Sequence, residues 1–367
     1  MTRKPMHAVL PALLALLGGT AAMAQMKTTP STPRQSADKP IPLDGVSPPR
    51  LTGTNAALLY FQAWQSVPQA TMQKLGNPDN KAEQVAALEE NQRLIEAILT
   101  AAETRDCDWG IQYQEGMHAL LPYLGALRQS CRAISADVER LVAEGGDENQ
   151  RAAGRRLAAM VNMSQHVRND RVLISSLVGV AITVKTLVTA DELMQTGALG
   201  VEPAQKLVAA LRALPKDDPF GTRECIIGER DVFLTWAKRK YTEGDEGGAR
   251  MIRDMEDMGT SGADDPDVAG MEGEELKKEF ERAEQYFTSA YEVWNEPDAA
   301  EELQDLADRV QDGDFGAVAS VLAPALTTCH KSDTRGRKDL AAAIVTLDAY
   351  IRNEGKLPPE FLKKPAE

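Results

Sequence analysis

The sequence is short of the residues that carry chemistry. It holds four cysteines and four histidines in 367 positions, and aromatic residues make up 5%. No CxxC pair occurs, so neither a thioredoxin-like redox motif nor a zinc ribbon is supported. GxxxxGK(S/T), GxGxxG after a strand, GxSxG and HExxH are also missing, which removes the standard nucleotide, serine-hydrolase and zincin signatures. Positive charge is the minority: 41 Lys and Arg stand against 55 Asp and Glu, for a formal net charge of −14. An acidic surface repels phosphate backbones and anionic lipid, so no nucleic acid partner is expected. No period-2 run bounded by turn residues reads as a strand.

What is present begins at the N-terminus. Arg3 and Lys4 precede an apolar run over 8–19 that is too short for a membrane span, and Ala22-Met23-Ala24 offers small residues at the right spacing. This predicts a secretory signal over 1–24, cleaved between Ala24 and Gln25, and hence a periplasmic or secreted protein. Residues 25–53 carry six prolines among Thr, Ser and Lys and are expected to form a disordered spacer. For an exported chain the even count of Cys107, Cys131, Cys225 and Cys329 suggests disulfides, in any of three pairings, with Cys107–Cys131 and Cys225–Cys329 favoured by order. Cys131 also falls on an apolar stripe, which suits a buried thiol as well as a bridge.

From residue 54 onward the pattern is helical. Over 81–103 Val85, Leu88, Ile95, Ile98, Leu99 and Ala102 recur at three- and four-residue steps, and 335–354 repeats the scheme with Leu340, Ile344, Leu347 and Ile351. Residues 172–190 are apolar on nearly every side. Lys185 within them argues against a bilayer and for a long central helix wrapped by others. Glu144-Gly-Gly-Asp147, Glu243-Gly-Asp245 and Asp312-Gly-Asp314 read as helix–turn–helix joints, with Gly in the left-handed conformation and Asp capping the next helix. The expected fold is all-α, an irregular multi-helix bundle or a short tetratricopeptide-like α-solenoid of about ten to twelve helices. Its expected parts are a helical lobe over 54–243, an acidic mobile segment over 244–275 and a C-terminal helical lobe over 276–367.

Three readings of function follow. The first is a non-enzymatic scaffold or interaction module of the cell envelope with an envelope protein as partner, no cofactor, no metal and no stable membrane insertion once the signal is removed. The second is a motif-poor helical enzyme. In projection Asn162, His166 and Asp170 share the polar face of one helix, at i, i+4 and i+8, with Arg168 and Arg171 nearby. His166 would be a general base or metal ligand and Asp170 its orienting carboxylate; a merely solvated face has the same pattern. The third is an acidic cation-binding protein. Asp265-Pro-Asp267-Val-Ala-Gly270 begins like an EF-hand loop, but position five is Ala269 and position twelve is Leu276, so two ligands fail. His118, His330 and the charged cluster Glu224, Glu229, Arg230 and Asp231 read as packing, capping and a salt-bridged helix.

The segments NAALLYFQAW (55–64), CDWG (107–110), LLPYLGALRQ (120–129), LISSLVGVAI (173–182) and LAAAIVTLDAYIRNEGKLPPEF (340–361) occur in that order. In this order the chain resembles a group of uncharacterised, exported helical proteins abundant in planctomycete-type bacteria. The resemblance implies export and a helical fold, and brings no activity or site residue with it.

Overall fold

Good helix formers at three- and four-residue apolar spacing must bury one stripe, and the computed structural model shows where each stripe goes. It describes residues 54–77, 79–119, 121–257 and 266–362; the expected signal, its cleavage point and the spacer lie outside these. The helices are α1 (Ala56–Gln65), α2 (Gln69–Leu75), α3 (Lys81–Glu90), α4 (Gln92–Glu103), α5 (Pro122–Glu144), α6 (Asp147–Arg168), α7 (Leu173–Gln195) and α8 (Val201–Arg212). They continue as α9 (Thr222–Gly228), α10 (Thr235–Thr242), α11 (Gly247–Asp257), α12 (Pro266–Ala269), α13 (Gly273–Val293), α14 (Ala299–Gln311) and α15 (Gly316–Arg352). No strand occurs among the described residues, and the fold is all-α.

The helices fall into two units: 54–111, 121–225 and 329–362 form one, and 112–119 with 226–328 form the other. These boundaries differ from the lobes expected from sequence, because the stripe of 340–350 joins the core of the first unit while 226–243 packs with 266–328.

In the larger unit α6 packs against α5, α7 and α8. The all-round apolar character of 172–190 has a direct cause: α7 serves two cores. Val178 and Ile182 face a cluster built from α1, α4, α5 and α6. Val180, Leu187, Ala190 and Met194 face a second cluster with α8, Leu340, Leu347 and Tyr350. Of its most apolar window, 72% is buried inside the protein, as befits a core helix rather than a membrane span. Gly154 lets α6 approach α8; a Cβ there would stand 2.8 Å from Pro203 Cα.

In the smaller unit Leu276, Phe280, Ala283, Phe287 and Ala290 form the buried stripe of α13, which packs against α10 and α14. The buried Glu279 carboxylate accepts the backbone N–H of Ala317 at 2.5 Å and so caps α15.

Several local expectations are corrected. The stripe over 81–103 is two helices, broken at Asn91, whose side-chain amide donates to the Ala87 carbonyl at 2.8 Å and competes with the ladder. Gly145, Gly244 and Gly313 take φ of 71, 81 and 89°, as their joints require. Asp147, however, is the first residue of α6 behind a Gly146 cap; it meets the positive end of the helix dipole instead of capping it. Within the acidic segment the pattern predicts a short helix around 248–258, and α11 is that helix; the mobile loop expected after it is ordered in part, since α12 lies there and Val268 is buried. Residues 258–265, with the first ligand position of the EF-hand-like loop, lie outside the described residues.

The disulfide expectation is also corrected. Cys107, Cys131, Cys225 and Cys329 are all buried, unbridged thiols. Cys107 and Cys131 belong to the apolar core of the larger unit, and the Cys225 thiol donates to the Asp170 carbonyl at 3.2 Å; a buried cysteine serves in such places without oxidation. Burial pushes the Cys131 thiol up to about 12 and raises that of Cys107 as well, which keeps both protonated and unreactive. A thiol-specific disulfide reagent should therefore react slowly with the native protein and titrate all four cysteines after denaturation without reductant. A denatured count of two or none would restore the bridges.

Candidate functional site

Four of the five segments that carry the resemblance converge, while 340–361 packs into the other core of the larger unit. Asn55 begins it: its side chain caps α1 by accepting the Ala57 N–H at 3.0 Å, accepts the Asp108 N–H at 2.9 Å, and donates to the Asp108 carbonyl at 2.8 Å. This clamps the CDWG loop to the start of α1. Tyr60 and Trp64 on α1, Trp109 of the loop and Tyr123 at the start of α5 then form a stacked aromatic ladder. The Trp64 and Trp109 rings lie 6.1 Å apart and 2° from parallel, and those of Trp109 and Tyr123 lie 4.2 Å apart and 8° from parallel. Pro122 at the first turn of α5 fixes the entry angle of Tyr123.

His166 and Asp170 lie under this ladder. Each is only 4% exposed, so the solvated face expected from the projection is not found at these two positions. The projection failed because it treats α6 as a surface helix. Here α4 packs on α6, and 104–109 closes over the histidine. Asn162 remains on the exposed side, and so does Arg171; Arg168 donates through Nε to the Asp218 carbonyl at 3.2 Å. Of the five residues read together from the sequence, His166 and Asp170 are buried, and Asn162, Arg168 and Arg171 do not join them.

The partners of His166 fix its state. Nε2 lies 2.9 Å from the Thr104 carbonyl, which can only accept, so Nε2 carries the proton. Nδ1 is then the acceptor for the Tyr60 hydroxyl at 3.0 Å. The Trp109 indole N–H donates to the His166 carbonyl at 3.0 Å. Burial pulls the imidazole down to about 4, although the Thr104 hydrogen bond works the other way, so the ring is neutral near pH 7.

Asp170 stands beyond the end of α6, where the helical i, i+4 relation to His166 no longer holds. Its carboxyl takes the Tyr123 hydroxyl, its carbonyl accepts the Cys225 thiol at 3.2 Å, and Ser175 lies 3.4 Å from the Tyr123 oxygen. Burial pushes this carboxyl up to about 7 against the opposing hydrogen bonds of Tyr123 and Ser175. Sequence reasoning gave Tyr60, Tyr123 and Ser175 no role. The available signal was the clustering of scarce aromatics in the very segments that carry the resemblance.

The remaining candidates are ordinary. His330 is buried on α15, 3.4 Å from the Thr334 hydroxyl. Arg230 pairs with Asp231 at 2.7 Å and donates to Thr288 at 3.1 Å, so this cluster is an ion-paired helix face. The His118 side chain lies outside the described residues. Among the described residues no three His, Cys, Asp or Glu side chains stand close enough to hold a metal. No family model, curated protein or solved structure matches this chain.

Proposed function

We propose that this chain is a non-enzymatic scaffold or interaction module of the cell envelope, exported through its N-terminal signal and working against another envelope protein. One observation carries the reading. The His166 and Asp170 pair, the best catalytic candidate in the sequence, is spent on internal partners: both ring nitrogens are engaged, the carboxyl is engaged, and aromatic rings cover them. A general base must reach a substrate proton, and both groups are buried. The cluster instead ties α1, the CDWG loop, α5, α6 and α7 into one rigid body. The acidic charge and the packed α7 support a soluble module without nucleic acid or lipid partners.

The test is complementation. In a deletion strain with an envelope phenotype, His166→Gln should restore function at a temperature where circular dichroism shows the variant folded. It should also retain the same stoichiometric envelope companion as the wild type. A folded variant that fails to complement would return the enzyme reading.

A further inference from the structure

Outside the aromatic cluster, the larger unit carries a groove of about 330 Å³ between α5 and α7, walled by Gly76 and Gln84. Three cations line it: Arg128 and Arg132, one turn apart on α5, and Lys185 on α7. Its apolar lining is Ala136 and Ala181 with the edge of the buried Ile182. The volume is at the lower end for small-molecule sites, and the mixed lining of an apolar floor with few convergent charges is typical of them.

The charge arrangement is the unexplained part. In a chain with more acidic than basic residues, cations should find carboxylates easily, yet Arg132 and Lys185 form no ion pair among the described residues. The one acid in the groove, Glu139, is engaged by Lys81 at 3.0 Å. Arg128 and Arg132 stand one turn apart and repel each other; burial first, and that repulsion second, lower the Arg128 guanidinium from its usual value. All three cations act on the same point, since Lys185, Arg132 and Arg128 each pull down the Cys131 thiol that burial raises. Lys185 is the only charged residue in the apolar run 172–190. Half-exposed in the groove, its ammonium is open to an anionic ligand from solvent.

We infer that this groove binds a small organic oxyanion with at least two negative charges, a phosphate monoester or a dicarboxylate, held by Arg128, Arg132 and Lys185. The guanidinium forks supply directed N–H donors, Lys185 supplies an opposing point charge, and Ala136 and Ala181 give the apolar surface for the body of the ligand. Such a site gives the module a soluble ligand and does not depend on the scaffold reading.

Calorimetric titration of the purified mature protein with inorganic phosphate, with citrate and with glycerol tests this. Saturable binding of one or both anions and none of glycerol is expected, weakening as salt rises. Lys185→Met should weaken it about tenfold, as expected for one charge-assisted contact, and Arg132→Gln with Lys185→Met should remove it. Tighter phosphate would assign the phosphoryl class and tighter citrate the carboxylate class. Should Lys185→Met fail to fold, Arg132→Gln at the half-exposed rim must weaken binding by a similar factor. The inference is overturned if neither anion saturates up to about 10 mM, if glycerol binds equally, or if the folded variants bind like the wild type.

Discussion

Replacing Asp137 by Ala is expected to destabilise the larger unit by about 3–5 kcal/mol. Asp137 is fully buried on α5 and gathers three helices. It accepts from Arg156 Nε on α6 at 2.6 Å, from Arg140 Nε at 2.9 Å, and from the Gln92 amide on α4 at 3.1 Å. Arg156, itself only 4% exposed, has one further carboxylate contact, to the half-exposed Glu96 at 3.2 Å. Without Asp137 the guanidinium would stay inside the bundle with most of its charge uncompensated, and that stranded charge is the source of the cost. An intact buried pair contributes far less than its rupture removes, because two desolvation penalties offset the attraction. Asp137→Leu combined with Arg156→Met should therefore recover most of the loss. Urea unfolding followed by circular dichroism reads both variants. A single-variant shift within about 0.5 kcal/mol, the range of surface substitutions, would refute this account.

The second large effect is hidden in the wild type. His166 falls from 6.5 to about 4 on folding, so the native state binds fewer protons than the unfolded chain between those values. Its contribution to stability is complete above about pH 6.5 and is lost as pH falls to about 4. Asp170 rises from 3.8 to about 7, so the native state binds more protons over that interval. Its contribution is complete below about pH 4 and is lost as pH rises to about 7. Across pH 4 to 6.5 the two slopes oppose each other, and the wild type should be nearly flat. Asp170→Asn leaves the histidine alone, and stability should rise by about 3 kcal/mol from pH 4 to 6.5. His166→Gln leaves the carboxyl alone, and stability should fall by about 4 kcal/mol from pH 4 to 7. Gln can still accept from Tyr60 and donate to Thr104, which keeps the cluster connected. Chemical unfolding at several pH values separates the two slopes. Parallel profiles for both variants would show that these groups are not the titrating pair.

The helices were legible because their evidence is local. The stripe of α4, the proline opening α5 and the glycine joints each follow from residues a few positions apart. The single long stripe expected over 81–103 failed at Asn91, where a side chain bonds its own helix; apolar spacing carries no information about that competition. The candidate site was legible only in part. His166 and Asp170 were identified as a pair, but the projection placed them in solvent. Periodicity shows which residues share a face, and cannot show whether a further layer covers it. The aromatics that cover it come from three segments up to 106 positions away in the chain.

By itself, then, the sequence determined that this protein is helical, acidic and built around 172–190, since propensity, charge and apolar spacing are properties of neighbouring residues. The tertiary structure decided that the four cysteines stay unbridged, that His166 and Asp170 are locked beneath an aromatic ladder, and that Lys185 joins two arginines in a groove. Those outcomes depend on which distant surfaces meet, and only the simultaneous burial of all the stripes selects them.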